Sequence, residues 1–123
     1  SILLRLGCGP EDGKIVVCCC YPEDQHELGL LMVAIRLAMR SWRITWLGSR
    51  MPEESLVQFL NKHPPSMVCI SITLERDTSE VRAFAQRVRA TIPESIEVVI
   101  GGPGVRNVEP VDGVRFVVDP GMI

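Results

Sequence analysis

Asp24 and His26 stand two positions apart in a polar turn, Tyr21-Pro-Glu-Asp-Gln-His-Glu-Leu-Gly29, and His26 is one of only two histidines in the chain. Imidazole is a metal ligand at neutral pH, and an aspartate at this spacing can hold the ring nitrogen that the metal does not use. A histidine in a polar turn is more commonly plain surface, so the metal reading needs other groups to converge on the same place. Three sets are available: Gly29, where glycine costs helix propensity and permits close approach of a ligand; the hydroxyls of Ser71 and Thr73; and the run Gly101-Gly102-Pro103-Gly104.

The five cysteines suggest a different chemistry, which their spacing does not support. Cys18, Cys19 and Cys20 are consecutive in an apolar run, so in a strand their side chains alternate faces and form no compact ligand set. There is no Cys-x-x-Cys pair. They read as small buried hydrophobes, with Cys18 and Cys20 on one face and Cys19 on the other. Hydrolase and phosphate-loop motifs are absent, and His63 before Pro64-Pro65 faces no evident nucleophile. A net charge of -2 gives no concentrated positive face, which argues against nucleic-acid contact by this segment. No apolar run reaches membrane-spanning length and no signal peptide is visible, so a cytoplasmic setting is expected.

The elements that must position these residues alternate. Ile15 to Cys20 is continuously apolar, as in a parallel strand covered on both faces. Leu28, Leu31, Met32, Ile35 and Met39 recur at helical spacing. Trp42 to Leu47 is the second strand, and a helix from about Glu53 to Lys62 follows, with Leu56, Phe59 and Leu60 inward. Met67 to Ile72 is the third strand. Thr78 or Ser79 can cap a third helix with the stripe Val81, Phe84, Ala85 and Val88; Arg82, Arg87 and Arg89 belong to its solvated face. Ile96 to Ile100 and Val114 to Val118 complete the strands.

This layout predicts one α/β domain with a flavodoxin-like, Rossmann-like five-stranded parallel sheet, order 2-1-3-4-5, and helices on both faces. Residues 1–13 read as a lead-in segment and 14–123 as the domain, with a last helix expected where the chain ends. The switch point of that order lies between strands one and three, whose following loops hold Asp24, His26, Ser71 and Thr73.

Asp24-x-His26-x-x-Gly29, then Ser71-x-Thr73, then Gly101-Gly102 resembles the cobalamin-binding domain shared by methionine synthase, carbon-skeleton mutases and corrinoid methyltransfer proteins. The intervening stretches of 41 and 27 residues are close to that family's spacing. The resemblance implies that His26 is the lower axial ligand of cobalt in place of the cofactor's own base. It implies that Asp24 orients the ring, and that Gly29 lies against the corrin. Ser71, Thr73, Gly101 and Gly102 would line the slot for the displaced nucleotide tail. Thr73 departs from the leucine often found there.

The stretch Pro22 to Leu30, followed by Trp42-Arg-Ile-Thr-Trp-Leu-Gly48, is more similar to the cobalamin-binding sensors attached to MerR-type DNA-binding domains, including light-responsive regulators. That resemblance implies adenosylcobalamin or methylcobalamin as cofactor. It also implies an upstream helical bundle and helix-turn-helix domain as partners, and no catalysis by this segment. A cofactor-carrying domain of a methyltransferase or mutase and a related haem-binding sensor are the alternatives. Self-association is left open.

Overall fold

The computed structural model describes residues 4–7 and 13–119, and these form one sheet with helices on both faces. Strands β2 (Ile15–Cys20), β3 (Arg43–Gly48), β4 (Met67–Ser71), β5 (Glu97–Gly101) and β6 (Val114–Val117) are parallel. Their spatial order is β3-β2-β4-β5-β6, the order expected. Within the segment read as a lead-in, β1 (Leu4–Gly7) adds a sixth strand, antiparallel to β3 at the sheet's edge, with Leu4 opposite Trp46. The glycines and the proline around it masked this strand in the sequence. Cys8, and the last helix expected beyond residue 119, lie outside the described residues.

Burial on both faces explains the continuous apolar strands. Val17, Cys19, Val68, Ile70, Val98 and Ile100 point to one side, where α2 (Glu53–Lys62) contributes Leu56 and Leu60. On the same side α3 (Thr78–Thr91) contributes Val81, Phe84, Ala85 and Val88. Val16, Cys18, Cys20, Cys69 and Val99 point to the other side, where α1 (Leu28–Met39) packs. Each fully buried side chain of this size stabilises the fold by roughly 1.5–3 kcal/mol relative to exposure.

Two local readings change and a third is decided. The side chain that caps α3 is Asp77, one position before the expected pair; its carboxylate accepts from the Ser79 amide at 2.8 Å. Arg89 is not simply a solvated residue. Its guanidinium donates to the carbonyls of Pro93 at 2.6 Å and Ile96 at 2.7 Å, tying the α3–β5 connection to the helix. At α1 the structure decides between two readings the sequence left open, core or exposed rim. The stripe legible in the sequence, Leu28, Leu31, Met32, Ile35 and Met39, faces outward, while Leu30, Val33, Ala34 and Leu37 make the buried face.

Cys18, Cys19, Cys20 and Cys69 are buried free thiols. Cys18 and Cys20 share the α1 face and Cys19 lies on the other, as strand alternation requires. Burial pushes the Cys19 thiol far up, and burial with the nearby carboxylates of Asp24 and Glu27 pushes Cys20 up to about 12. Thiolates are therefore scarce at neutral pH, and thiolate is the reactive form. Under native conditions Cys18, Cys19 and Cys20 should react with a thiol reagent only on unfolding. Rapid labelling of any of them, mapped by peptide mass spectrometry, would contradict this packing.

Candidate functional site

The chain leaves β2 at Cys20, and seven residues of turn precede α1, held from several directions. The Tyr21 amide donates to the Ser71 carbonyl at 2.9 Å, continuing the β2–β4 pairing past the end of the strand. Glu23 pairs with Arg76 at 2.9 Å, and the Arg76 guanidinium lies over the Tyr21 ring, 4.7 Å from its centroid. Gln25 accepts from Arg50 at 3.0 Å. The Glu27 carboxylate accepts from the Ser49 amide at 2.7 Å, fastening the start of α1 to the β3–α2 connection. The turn is thus tied both to the β3–α2 and to the β4–α3 connection.

Asp24 lies at its centre and is fully buried, at 0% exposure. One carboxylate oxygen accepts from the His26 amide at 3.0 Å and faces His26 Nδ1 at 3.2 Å. The other accepts from the Thr73 amide. A carboxylate only accepts, so in the neutral ring the nitrogen facing it carries the proton and Nε2 keeps its lone pair. Nε2 makes no hydrogen bond among the described residues, and the His26 side chain is 59% exposed. The result is a well-anchored main chain under an accessible imidazole. Burial by itself raises the Asp24 pKa. The amide of His26, that of Thr73, the His26 ring and the Leu74 amide together outweigh it and hold the carboxyl below its usual range.

Beside this turn a cleft of about 410 Å³ opens between α1 and the C-terminal ends of β4, β5 and β6. His26 and Thr73 stand at one end, with Leu28, Gly29, Leu30 and Val33 of α1 along one wall. Cys69, Ile70 and Ser71 of β4, Val99 and Gly101 of β5, and Gly102, Pro103, Val117 and Val118 complete the lining. A side chain added at Gly29 would meet nothing within 4 Å, so the first turn of α1 presents bare backbone to open space.

All seven residues singled out in the sequence converge here. Six line the cleft and the seventh, Asp24, orients His26 from beneath. Gly102 has a further reason to be glycine. Its φ is +109°, and a Cβ there would stand 2.4 Å from the Ile72 carbonyl oxygen, so the backbone requires glycine whatever the cleft contains. Thr73 contributes its main-chain N–H to Asp24, a role open to any residue except proline, so the departure from leucine leaves this anchor intact. Sequence reasoning missed Glu27, Arg76 and the apolar lining from β6. Long-range pairs such as Glu27–Ser49 leave no local spacing signal.

The Asp24 network has a direct energetic consequence. Asn at this position would set an amide N–H₂ against one of the N–H donors, at a cost of about 1–3 kcal/mol for a buried unsatisfied group. The folded-state pKa lies below the unfolded value of about 3.9, so the carboxylate's contribution is fully present above that value. It is lost as the pH falls through the lowered folded pKa. Asp24→Asn should therefore melt lower than the parent at neutral pH, with the difference shrinking as the pH falls below about 4. Melting curves followed by circular dichroism would test this, and equal stability at neutral pH would contradict it.

Comparison with known proteins is consistent with this geometry. The sequence profile of the B12 binding domain family matches residues 14–118. The chain is 34% identical over 91 residues to the HTH-type transcriptional repressor CarH of Myxococcus xanthus, covering 74% of this chain and 30% of that protein. It is 33% identical over 95 residues to the repressor CarA of the same organism, covering 76% of this chain and 32% of that protein. The chain spans about a third of the length of these curated relatives. Among solved structures it is similar in fold to the monomethylamine corrinoid protein of Methanosarcina barkeri, with a TM-score of 0.72 at 17% identity over 88% of this chain and 53% of that one. The methanol:cobalamin methyltransferase complex MtaBC of Methanosarcina barkeri gives 0.71 at 18% identity, over 95% of this chain and 46% of that one. With the profile match spanning most of its length, the chain belongs to the B12 binding domain family and is a cobalamin-binding module related to the CarH and CarA repressors.

Proposed function

We propose that this module takes cobalamin with His26 in place of the cofactor's own lower base, and serves as the sensing domain of a transcriptional regulator. The observation that carries the reading is the pairing of a fully buried Asp24 with an accessible His26 whose Nε2 is left without a partner. A carboxylate behind a metal-binding imidazole fixes its tautomer and raises its donor strength. Nitrogen of this kind suits cobalt.

The residues present fit the group. The cleft beside His26 is apolar over most of its lining, and Gly29 leaves its α1 wall bare. Ser71 and Thr73 stand at the strand ends with side-chain hydroxyls for the polar part of a nucleotide tail, and Gly101 and Gly102 keep that side free of bulk. Bound cobalamin supplies a cobalt–carbon bond when its upper ligand is adenosyl or methyl, and light can break such a bond. His26 would hold the metal from below, Asp24 would hold His26, and the cleft would exclude water from the tail.

Sensing is favoured over catalysis by the curated relatives, which are repressors by name. Among the described residues the cleft lining offers, besides His26, hydroxyls, the buried Cys69 thiol and apolar groups, a surface suited to holding a cofactor. A helix-turn-helix domain and a helical bundle carried on the same polypeptide would be the elements that read the state of the cofactor.

DNA binding by a polypeptide carrying this module with a helix-turn-helix domain should change on adding adenosylcobalamin in the dark and revert on illumination. His26→Ala should abolish the response, and Asp24→Ala should weaken cofactor affinity by roughly 10–100-fold. Gel-shift and fluorescence-anisotropy titrations measure both. Methyl transfer or mutase turnover, with DNA binding indifferent to the cofactor, would contradict the sensor reading and favour an enzyme's cofactor domain.

A further inference from the structure

Little packs against the imidazole of His26, whose side chain is 59% exposed. The position of Nε2 therefore depends on how the main chain beneath the ring is held. Asp24 holds the ring and the His26 amide, and its other oxygen ties them to the Thr73 amide on the β4 side of the turn. The Cys20 thiol, at the end of β2, donates to the His26 carbonyl at 3.7 Å.

Glu27 holds the same stretch from the β3 side. It is the N-cap residue of α1, yet its side chain caps nothing in that helix. The carboxylate turns away and accepts from the Ser49 amide at 2.7 Å, a short bond to a charged acceptor. The end of β3 is shaped to receive it. The pairing of β2 with β3 slips there, with Cys18 opposite Trp46 and Cys19 opposite Gly48, and an irregularity of this kind re-aims the end of a strand. Gly48 has a φ of +72°, and a Cβ on it would stand 2.7 Å from a Glu27 carboxylate oxygen and 3.1 Å from Trp46 Nε1. The side chain that Gly48 lacks is thus the room that the carboxylate uses. A slipped register, a glycine and a strong hydrogen bond converge on the residue next to His26.

We propose that Glu27 is a positioning residue for cofactor binding. By tying residue 27 to the β3–α2 connection it sets where Nε2 of His26 stands, while Asp24 sets the tautomer and donor strength of the ring. The inference rests on the reading of His26 as the lower ligand of cobalt. Without the Glu27 carboxylate the Asp24–His26 pair stays whole, but the turn loses its tie to Ser49 and the imidazole drifts from the point beneath the metal.

The unsubstituted chain, Glu27→Ala and Glu27→Gln test this, the last because its amide oxygen still accepts from Ser49. Far-UV circular dichroism should be the same for all of them. In the cofactor-free chains the ¹⁵N shifts of the His26 ring should also agree, because the ring's own partner is untouched. Loaded with hydroxocobalamin and reduced to Co(II), the unsubstituted chain labelled with ¹⁵N-histidine should show the histidine splitting throughout. Glu27→Ala should give a mixture with a form that lacks it, and should bind hydroxocobalamin about 10-fold more weakly, the lower end of the range for removing a group behind a metal ligand. Glu27→Gln should recover most of both. Full histidine coordination at unchanged affinity in Glu27→Ala overturns the inference and leaves the reading of His26 standing. So does a changed ring shift in cofactor-free Glu27→Ala, which would make Glu27 a support of the Asp24 pair. An unsubstituted chain with no histidine nitrogen on cobalt overturns both.

Discussion

Asp24 is a fully buried carboxylate, and the geometry of the site depends on how that charge is satisfied. An unpaired buried charge would cost several kcal/mol or would neutralise. Here main-chain amides from His26 and Thr73 and the ring N–H of His26 converge on it. These donors come from two places in the chain, the turn after β2 and the turn after β4, so the carboxylate joins the two loops at the sheet's switch point. The parallel pairing of β2 with β4, extended by the Tyr21 amide on the Ser71 carbonyl, brings those loops together. The orientation of His26 follows from this: its main chain is fixed by the same carboxylate that holds its ring.

The two sides of the sheet are built differently, and that difference makes the cleft. On one face α2 and α3 cover the strands with Leu56, Leu60, Phe84 and Val88. On the other, α1 packs over β3, β2 and β4, and a cleft opens between its first turns and the C-terminal ends of β4 to β6. Gly29 widens that gap by carrying no side chain. Gly102 and Gly104 are required by backbone packing instead. Each sits against Ile72 closely enough that a Cβ would collide with it, which folds the β5 loop tightly back on the β4 loop.

Fold and site were legible in the sequence to different depths. The strands were plain because burial on both faces leaves an unbroken apolar run, as in Ile15–Cys20 and Met67–Ser71. The seven residues that meet at the cleft were legible through the family resemblance that Asp24-x-His26-x-x-Gly29, Ser71-x-Thr73 and Gly101-Gly102 carry together. Strand β1 was not, since a four-residue edge strand among glycines has little pattern of its own. The direction in which α1 faces was ambiguous because both of its sides are apolar. Leu28, Leu31, Met32, Ile35 and Met39 give as clean a helical period as Leu30, Val33, Ala34 and Leu37, and only the packed sheet decides between them. The Asp77 cap and the Glu27–Ser49 tether depend on contacts rather than on local composition.

The central claim is that His26, through Nε2, replaces the cofactor's own base beneath cobalt. Electron paramagnetic resonance of the bound, reduced Co(II) form tests it directly, because an axial nitrogen splits the cobalt lines according to its own nuclear spin. Protein labelled with ¹⁵N-histidine and loaded with unlabelled cobalamin should show each line as a doublet in place of the triplet given by ¹⁴N. A triplet that persists in the labelled protein would mean that the cofactor keeps its own base, and would contradict the role assigned to His26.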